Sequence, residues 1–387
     1  MSRAERRITA TLALMLLCRM LGLFMVLPVL SPWALELAGE PGLAVGLAVG
    51  VYGLTQALLQ IPLGWLSDHI GRKPVIVGGL LCFVAGSAIC AQADTVQGLV
   101  LGRLAQGGGA IAATSTALLA DLLRAQVRST AMAVVGISVA GAFALSLLLG
   151  PALLGWTGVP GLFWLATVMG LIAISLLATL PAAPAIVAGA EDAPDKPQGA
   201  NALILGIGSL HAALAFLFVV LPLEIDAAAG GQAQMQWRIW LPTVALSLVV
   251  VFPMLRVVEK RGWEWRSMPW AFALMALATG ALGVVPDWGL VAVLSLYFAA
   301  FNFLEASLPA LLSRLVGQGR RGRIMGQFSA AQFLGIFVGG AIAGAVHAQA
   351  GAAWSMLVSA LLLVPAWVAV WLPARRAWRN EPIGQAG

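Results

Sequence analysis

The chain consists largely of apolar runs about twenty residues long, separated by short segments that hold charged residues, proline or glycine. A helix needs about 20 apolar residues to cross about 30 Å of hydrocarbon. Twelve runs meet this length, at 11–31, 44–66, 74–93, 97–121, 129–155, 160–181, 201–223, 239–257, 268–286, 289–313, 324–347 and 352–373. The sequence therefore predicts an all-α polytopic membrane protein with twelve transmembrane helices.

The composition excludes several other classes of protein. Only 10% of the residues are charged and 60% are hydrophobic, whereas soluble domains average about 25% charged residues. A chain this apolar cannot remain solvated, which excludes disorder. Its three cysteines, each inside an apolar run, do not make a disulfide framework. An ordinary soluble enzyme is excluded by the same low charge.

The runs divide into two sets of six. Residues 182–200 between them read AAPAIVAGAEDAPDKPQGA, which is rich in Ala and Pro and offers no apolar face to bury. We therefore expect an N-terminal six-helix bundle over 1–181 and a cytoplasmic linker over 182–200. A C-terminal six-helix bundle with a short cytoplasmic tail follows over 201–387.

The distribution of Lys and Arg predicts the orientation. Of the 22 basic residues, 19 fall in the N-terminus, the even-numbered loops and the C-terminal tail. Positive charge stays on the cytoplasmic side, so both termini are expected there, in a bacterial inner membrane. The first apolar run lacks a clear cleavage site, which favours a retained span over a signal peptide. The net charge of +6 thus reflects topology rather than nucleic-acid binding.

The loop between the second and third spans reads GWLSDHIGRKP, a pattern that orientation alone does not explain. It resembles the G-x-x-x-D-x-x-G-R-[RK] signature of the major facilitator superfamily (MFS), whose fold pairs two six-helix bundles. An acid at this helix end can pair with the following arginine and face the N-terminus of another helix. We call this set the conformational latch. Its members are Gly64, Asp68, Gly71, Arg72 and Lys73, and the resemblance implies Asp121 as a further member.

Two other segments resemble the drug:proton antiporters of this family. Arg103 opens RLAQGGGA in span 4, which is similar to the family pattern R-x-x-Q-G-x-G-x-A. Span 5 is similar to the antiporter motif G-x-x-x-G-P-x-x-G-G through Gly141, Gly150 and Pro151. Only Gly155 follows them, one position late. The resemblance implies an antiporter-type helix here, and the altered ending leaves an importer open.

Three longer segments point to one branch of the family. CRMLGLFMVLPVL, VYGLTQALLQIPLG and FNFLEASLPALLSRL look like the YajR branch of bacterial inner-membrane MFS proteins. Members of that branch carry an extra soluble C-terminal domain. This chain ends 14 residues after the predicted twelfth span, so we expect it to lack that domain.

Three charged residues lie inside predicted spans. An arginine at a helix centre costs about 2.5–3.5 kcal/mol to insert, which makes Arg19 and Arg103 unusual on lipid-facing surfaces. Glu305 lies in span 10, one turn after Asn302. The family resemblance implies that spans 1, 4, 7 and 10 line a central cavity, so we expect Arg103, Glu305 and Arg19 to couple transport to charge or proton movement. The alternatives are snorkelling or a structural ion pair, with Arg314 or a loop arginine as partner of Glu305.

Polar side chains within the spans are candidates for contact with a substrate. Tyr52 and Gln56 lie at i and i+4 on one face of span 2. His211 is the only histidine far from the end of a span. Packing and interhelical hydrogen bonding are the alternative roles. The candidates are Tyr52, Gln56, His211, Asn302 and Gln327.

Together these features predict a secondary active transporter that exports a small amphipathic molecule by proton-coupled alternating access. The sequence has no nucleotide motif, metal-ligand spacing or nucleophile elbow, so we expect no enzyme activity, cofactor or metal. Expected partners are the small-molecule substrate, protons and the lipid bilayer, with no nucleic acid, and the chain is expected to be a monomer. The alternatives are a gradient-driven importer or facilitator of a small metabolite, and a non-transporting membrane receptor.

Overall fold

A computed structural model describes residues 1–181, 198–228, 230, 236–316 and 321–379, without the side chains of residues 287, 288, 321 and 322. Throughout these residues the ordered elements are helices and no strand occurs. The helices of the described residues are α1 (Arg3–Phe24), α2 (Leu27–Ala38), α3 (Leu43–Ile70), α4 (Arg72–Ala91), α5 (Val96–Gly107), α6 (Ala112–Leu122), α7 (Ala125–Ala178), α8 (Ala200–Ala228), α9 (Trp237–Arg261), α10 (Glu264–Leu282), α11 (Asp287–Leu315), α12 (Arg321–Leu361) and α13 (Val364–Trp378).

These helices form the twelve predicted spans, which confirms the all-α twelve-helix fold. In the part of the chain that is described, eight segments are long and apolar enough to cross a membrane. Two of them hold two spans each, because α7 bends at Gly158 (φ 63°) and α12 at Gly351 (φ 73°). Glycine adopts this left-handed region without steric cost. The fourth span (α5 with α6) and the ninth (α10) complete the set.

Three predicted spans are not continuous helices. Span 1 is interrupted between α1 and α2, where Pro28 stands at the start of the second helix and its missing N–H costs nothing. Span 4 is interrupted over residues 108–111, and span 12 at residues 362–363. Hydropathy does not detect such breaks, because the residues in them remain apolar.

The chain divides into two compact units. Unit 1 comprises Met1–Glu40, Val51–Gly189 and Ile225–Trp237, and unit 2 comprises Pro41–Gly50, Ala190–Glu224 and Arg238–Gly387. Most of the predicted linker, residues 182–197, lies outside the described residues, as does the end of the tail, 380–387. The boundaries of the two six-helix bundles at 181 and 201 stay a prediction.

Unit 1 is built around α7. α1 packs along α7, while α4 packs on both α7 and α5. Their shared interior is aliphatic, with Leu12, Ile76, Leu80, Leu118 and Leu177 almost fully buried. Because lipid is as apolar as these side chains, close packing rather than exclusion of water holds such helices together.

Unit 2 contains the most deeply buried helix, α8, and a cluster of aromatic side chains. Phe218 of α8 stacks on Trp240 at 5.7 Å between ring centroids, and Trp240 meets Phe298 edge-on at 6.1 Å. α8 approaches α12 closely, since a Cβ added at Gly335 would lie 2.1 Å from the Gly208 carbonyl oxygen. A Cβ at Gly339 would likewise clash with the backbone of α8. Small residues at four-residue spacing permit this contact.

Candidate functional site

The latch residues form a charged network where α3 meets α4. Gly71 alone separates the two helices, and its φ of 95° favours glycine. The Arg72 guanidinium pairs with the Asp68 carboxylate, and Nε of Arg72 donates to Oδ2 of Asp121 at 3.1 Å. Nη1 of Arg72 also donates to Oγ of Ser67 at 2.6 Å. The structure therefore brings three of the four predicted charged members together, while their role in switching stays a prediction.

The latch is partly open to solvent, which limits its strength. The side chains of Arg72 and Asp68 are 16% and 32% exposed. Exposed ion pairs contribute about 0–1 kcal/mol, so a conformational change can break this network at low cost. Lys73 anchors the start of α4 by donating from Nζ to the Leu180 carbonyl at 2.6 Å. A Cβ on Gly64 would meet no atom within 4 Å, so packing gives no reason for glycine there.

A second ion pair at this end of unit 1 was not predicted from the sequence. Arg124 donates from Nε to Oε1 of Glu5 at 2.7 Å and from Nη2 to Oε2 at 3.0 Å. Glu5 precedes the first apolar run and caps α1 together with Ser2. The hydrogen bonds from Arg124 lower the pKa of Glu5 to about 2. The stabilisation is therefore present above pH 4.5 and is lost as the pH falls towards 2.

The break in span 4 creates a hydrogen-bond acceptor for Arg19. Between α5 and α6 the Gly109 carbonyl accepts from the Ile111 amide at 2.8 Å and from Nη2 of Arg19 at 2.6 Å. Nη1 of Arg19 contacts only the Met20 sulfur, at 3.5 Å, and Nε has no hydrogen-bond partner in the described part of the chain. Arg19 is 1% exposed, so this guanidinium is buried and poorly satisfied.

Arg103 begins a chain of buried hydrogen bonds. Its Nη1 donates to Oε1 of Gln106, one turn further along α5. Nε2 of Gln106 donates to Oγ of Ser87 at 2.9 Å, and Ser87 donates to the Phe83 carbonyl at 2.7 Å. The Arg103 guanidinium also lies 4.4 Å from the centroid of the Tyr52 ring, a cation–π contact. The motif arginine is thus held in place from two sides.

Close helix contacts at glycine make this arrangement possible. A Cβ added at Gly86 would lie 2.2 Å from the backbone nitrogen of Gln106, which fixes α4 against α5 beside Ser87. A Cβ at Gly107 would lie 2.3 Å from the Tyr52 carbonyl oxygen, which fixes α3 against α5. Three helices therefore converge around Arg103.

One face of α3 carries polar side chains that the protein leaves unsatisfied. Gln56 and Gln60 follow Tyr52 at four-residue intervals and are 1% and 2% exposed. None of their four amide oxygen and nitrogen atoms has a hydrogen-bond partner among the described residues. Buried polar groups without partners are rare and require an explanation, such as a bound water or ligand.

Unit 2 brings His211, Gln332 and Glu305 into contact. Nδ1 of His211 lies 3.2 Å from the Ile207 carbonyl, an obligate acceptor, so Nδ1 carries the proton of a neutral ring. Nε2 of His211 then accepts from the Gln332 amide nitrogen at 2.8 Å. That amide also lies 3.4 Å from Oε1 of Glu305, whose Oε2 is 3.7 Å from Nε2 of His211. A histidine, an amide and an acid thus share one network of polar contacts.

The surroundings of Glu305 bear on the alternatives raised above. Its side chain is 39% exposed, and Oε2 has no hydrogen-bond partner within the described residues. Arg314 donates to Glu264 at 2.8 Å, so Arg314 is engaged elsewhere in this structure. Asn302 and Gln327 are half-buried, and Oε1 of Gln327 has no partner in the described part of the chain.

In the antiporter-type helix, packing requires a glycine at only one of the two predicted glycine positions. A Cβ added at Gly150 would lie 2.0 Å from the Met25 carbonyl oxygen, next to the break between α1 and α2. Pro151 follows it inside α7 and is buried. A Cβ at Gly141 would meet no atom within 4 Å.

The predicted residues therefore divide between the two units, and contacts join Arg103 to Tyr52 and His211 to Glu305. Arg19, Arg103, Tyr52 and Gln56 belong to unit 1, and His211, Glu305, Asn302 and Gln327 belong to unit 2. Sequence reasoning missed several of their partners: Ser87, Gln332 as the bridge to Glu305, the Gly109 carbonyl and the pair of Glu5 with Arg124. For Ser87, a polar residue following a glycine inside an apolar run was the available signal. The other partners depend on contacts between distant segments.

Comparisons with known proteins identify the family. The model of the Major Facilitator Superfamily matches residues 12–205. The Escherichia coli (strain K12) "Inner membrane transport protein YajR" is 38% identical over 99% of this chain and 85% of its own length. The "Multidrug resistance protein MdtH" of Aeromonas salmonicida (strain A449) is 27% identical over 98% of both chains.

A solved structure shows the same fold. The inward-facing, occupied structure of a bacterial homolog to the human lysosomal transporter Spinster superposes with a TM-score of 0.77. It covers 99% of both chains at 15% identity, so it bears on the fold alone. The fold, the family model and the full-length similarity to YajR confirm the resemblance inferred from the motifs. The chain belongs to the Major Facilitator Superfamily and is a multi-pass membrane transporter of its YajR-like branch.

Proposed function

We propose that this protein exports a small amphipathic molecule across a bacterial inner membrane in exchange for protons. Both termini lie in the cytoplasm in this proposal, and transport proceeds by alternating access. Arg103, Glu305 and Arg19 carry the charge coupling. The latch around Asp68 and Arg72 sets the balance between conformations.

The contact of Glu305 with Gln332 and His211 carries the proposal. Nε2 of His211 and Oε1 of Glu305 both lie within hydrogen-bond distance of one group, the side-chain amide nitrogen of Gln332. Oε2 of Glu305 has no hydrogen-bond partner in the described part of the chain, which leaves it open to a proton. An ionisable side chain inside a transmembrane helix is most often part of an ion pathway.

Protonation of Glu305 changes the contacts of this network. A proton on Oε2 removes the negative charge and converts an acceptor into a donor. The attraction for the Gln332 amide then weakens, and the carboxyl can donate to Nε2 of His211 instead. A change that alters the free energy of one conformation more than another shifts their populations. Uptake of the proton on one side and release on the other would thereby drive the cycle.

Similarity to MdtH supports the direction of transport. A relative named for multidrug resistance matches this chain over 98% of its length, which favours export of an amphipathic compound. The close contact of Gly150 with Met25 supports an antiporter-type fifth span.

One observation favours an importer or facilitator as a second candidate. The space around Gly141 is open, so packing does not require glycine at this position of the antiporter pattern. A facilitator would move its substrate without a proton gradient.

Proton release from inverted membrane vesicles tests the proposal. Vesicles that hold a preformed proton gradient are challenged with a chemically diverse panel of amphipathic compounds. We expect one class to release the gradient with the wild type and with Glu36→Gln, a change at an exposed acid. Glu305→Gln and Arg103→Ala, at matched expression, should not respond.

Two outcomes count against the proposal. If an active compound releases the gradient equally in Glu305→Gln and the wild type, Glu305 is not the proton site. If labelled compounds enter vesicles at the same rate with and without a gradient, the facilitator is the correct function.

A further inference from the structure

Unit 1 holds a buried arginine, Arg19, that forms no ion pair with any acid of the described residues. Arg19 and Arg103 are 1% and 0% exposed. The described acids of this unit lie at helix ends or in loops, where they are paired with arginine, exposed or half-buried: Glu5, Glu36, Glu40, Asp68, Asp94, Asp121 and Asp226. Arginine does not lose its proton in proteins, so its charge must be compensated in another way.

Arg19 also has too few hydrogen-bond acceptors. Its guanidinium presents five N–H donors in a rigid fork, and the Gly109 carbonyl is its one oxygen acceptor in the described chain. The Met20 sulfur is a weak acceptor, and Nε has none. The missing acceptors are those that a carboxylate supplies when it binds a guanidinium through two parallel hydrogen bonds.

The neighbours of Arg19 suit an anion that carries an apolar body. The guanidinium lies 6.0 Å from the Phe83 ring centroid. The hydrogen-bond chain that begins at Arg103 ends at the carbonyl of the same Phe83, so a second positive charge is near. On the same face of α3 as Tyr52, Gln56 has an amide nitrogen with no partner in the described chain.

We propose that Arg19, with Arg103 and the Gln56 face of α3, binds the carboxylate of an amphipathic organic anion, and that this anion is the transported substrate. The inference rests on the proposed function and gives the substrate its chemical class. The Arg19 guanidinium donates hydrogen bonds to the carboxylate, and the Gln56 side-chain amide donates another. Arg103 adds electrostatic attraction without direct contact. Both guanidinium groups are buried here, so the anion binds a conformation in which the space beside Arg19 opens.

Thermal unfolding of the purified full-length chain in detergent tests the proposal without transport. The probes are sodium benzoate and octanoate, with benzamide, octanamide and benzylammonium chloride as matched neutral and cationic compounds, all at one ionic strength. At ten times the dissociation constant, we expect the carboxylates to raise the unfolding midpoint by about 2 °C. The amides, benzylammonium and sodium chloride should leave the midpoint unchanged.

Variants assign the effect to this site. Arg19→Gln should abolish the carboxylate shift, and Arg19→Lys should keep only part of it because lysine lacks the fork. Gln56→Leu should reduce the shift and, since it removes an unsatisfied polar group, keeps the protein folded if Arg19→Gln does not fold. Arg6→Gln, a change at an exposed arginine, is the control and should bind as the wild type does.

The outcomes separate this inference from the proposed function. No shift with either carboxylate, equal shifts with carboxylate and amide, or a carboxylate shift that persists in Arg19→Gln and Gln56→Leu would overturn the inference. Equal shifts with every sodium salt would indicate an adventitious ion only and would also overturn it. Glu305→Gln should keep the carboxylate shift. Binding without proton release would leave the anion site standing and reject proton coupling.

Discussion

At the scale of single residues, the motif arginine of unit 1 takes part in a continuous chain of buried hydrogen bonds. Arg103, Gln106 and Ser87 are each fully buried and are joined in sequence to the Phe83 carbonyl. A buried donor that loses its acceptor cannot turn to water. The motif arginine is therefore linked, through Gln106, to a serine that lies outside the motif.

Ser87→Ala tests this chain. It removes the acceptor of the Gln106 amide, so we expect the free energy of unfolding to fall by about 1–3 kcal/mol. Ser175→Ala is the matched control, since Ser175 is exposed and donates only to the Leu171 carbonyl of its own helix. Denaturant titration of both purified variants measures the difference. Equal stability of the two would show that Gln106 finds another acceptor.

At the scale of elements, glycine performs two distinct tasks in this chain. Gly158 and Gly351 take positive φ and divide long apolar helices into separate spans. Gly335 and Gly339 keep helical geometry and let α12 touch the backbone of α8. Sequence alone shows glycine in both cases, and only the path of the backbone distinguishes them.

Gly339→Ala tests the contact between α8 and α12. The added Cβ would lie 2.1 Å from the Ala212 carbonyl oxygen, so the helices must separate. We expect a loss of about 1–3 kcal/mol in the free energy of unfolding. Gly78→Ala in α4 is the control, because its Cβ would meet no atom within 4 Å and alanine favours the helix. A wild-type midpoint for Gly339→Ala would contradict the packing.

At the scale of the whole molecule, strong and weak interactions are separated in a way that suits a transporter. The interiors of the units are closely packed and largely apolar. The latch residues are partly exposed and weakly bound. A network of this strength biases a conformational equilibrium without preventing its reversal.

Asp68→Asn tests the latch. It removes one of the two carboxylates that face Arg72, so we expect the transport rate to change by up to about fivefold. The unfolding midpoint should change little, since the side chain is 32% exposed. Asp94→Asn, at an exposed loop acid, is the control. Transport at the wild-type rate by Asp68→Asn would show that these residues do not set the conformational balance and only orient the chain in the membrane.

The number of spans, the helical fold and the family were predictable from the sequence. The length of an apolar run and the spacing of residues in GWLSDHIGRK are local properties, so they can be identified without knowing how the helices pack. The pairing of Asp68 with Arg72 was also predictable, because the loop motif places an acid at a helix end four residues before an arginine. The break at residues 108–111 was not, since an apolar glycine run reads as span in either conformation.

The sequence by itself determined which segments enter the membrane, because lipid accepts only apolar helices of sufficient length. Tertiary structure alone decided which polar groups meet. Arg19 finds the carbonyl of Gly109, 90 residues away, and His211 finds Gln332, 121 residues away. Such contacts depend on where the helices break and on which glycines allow two backbones to approach. The order of residues along the chain does not show either of these.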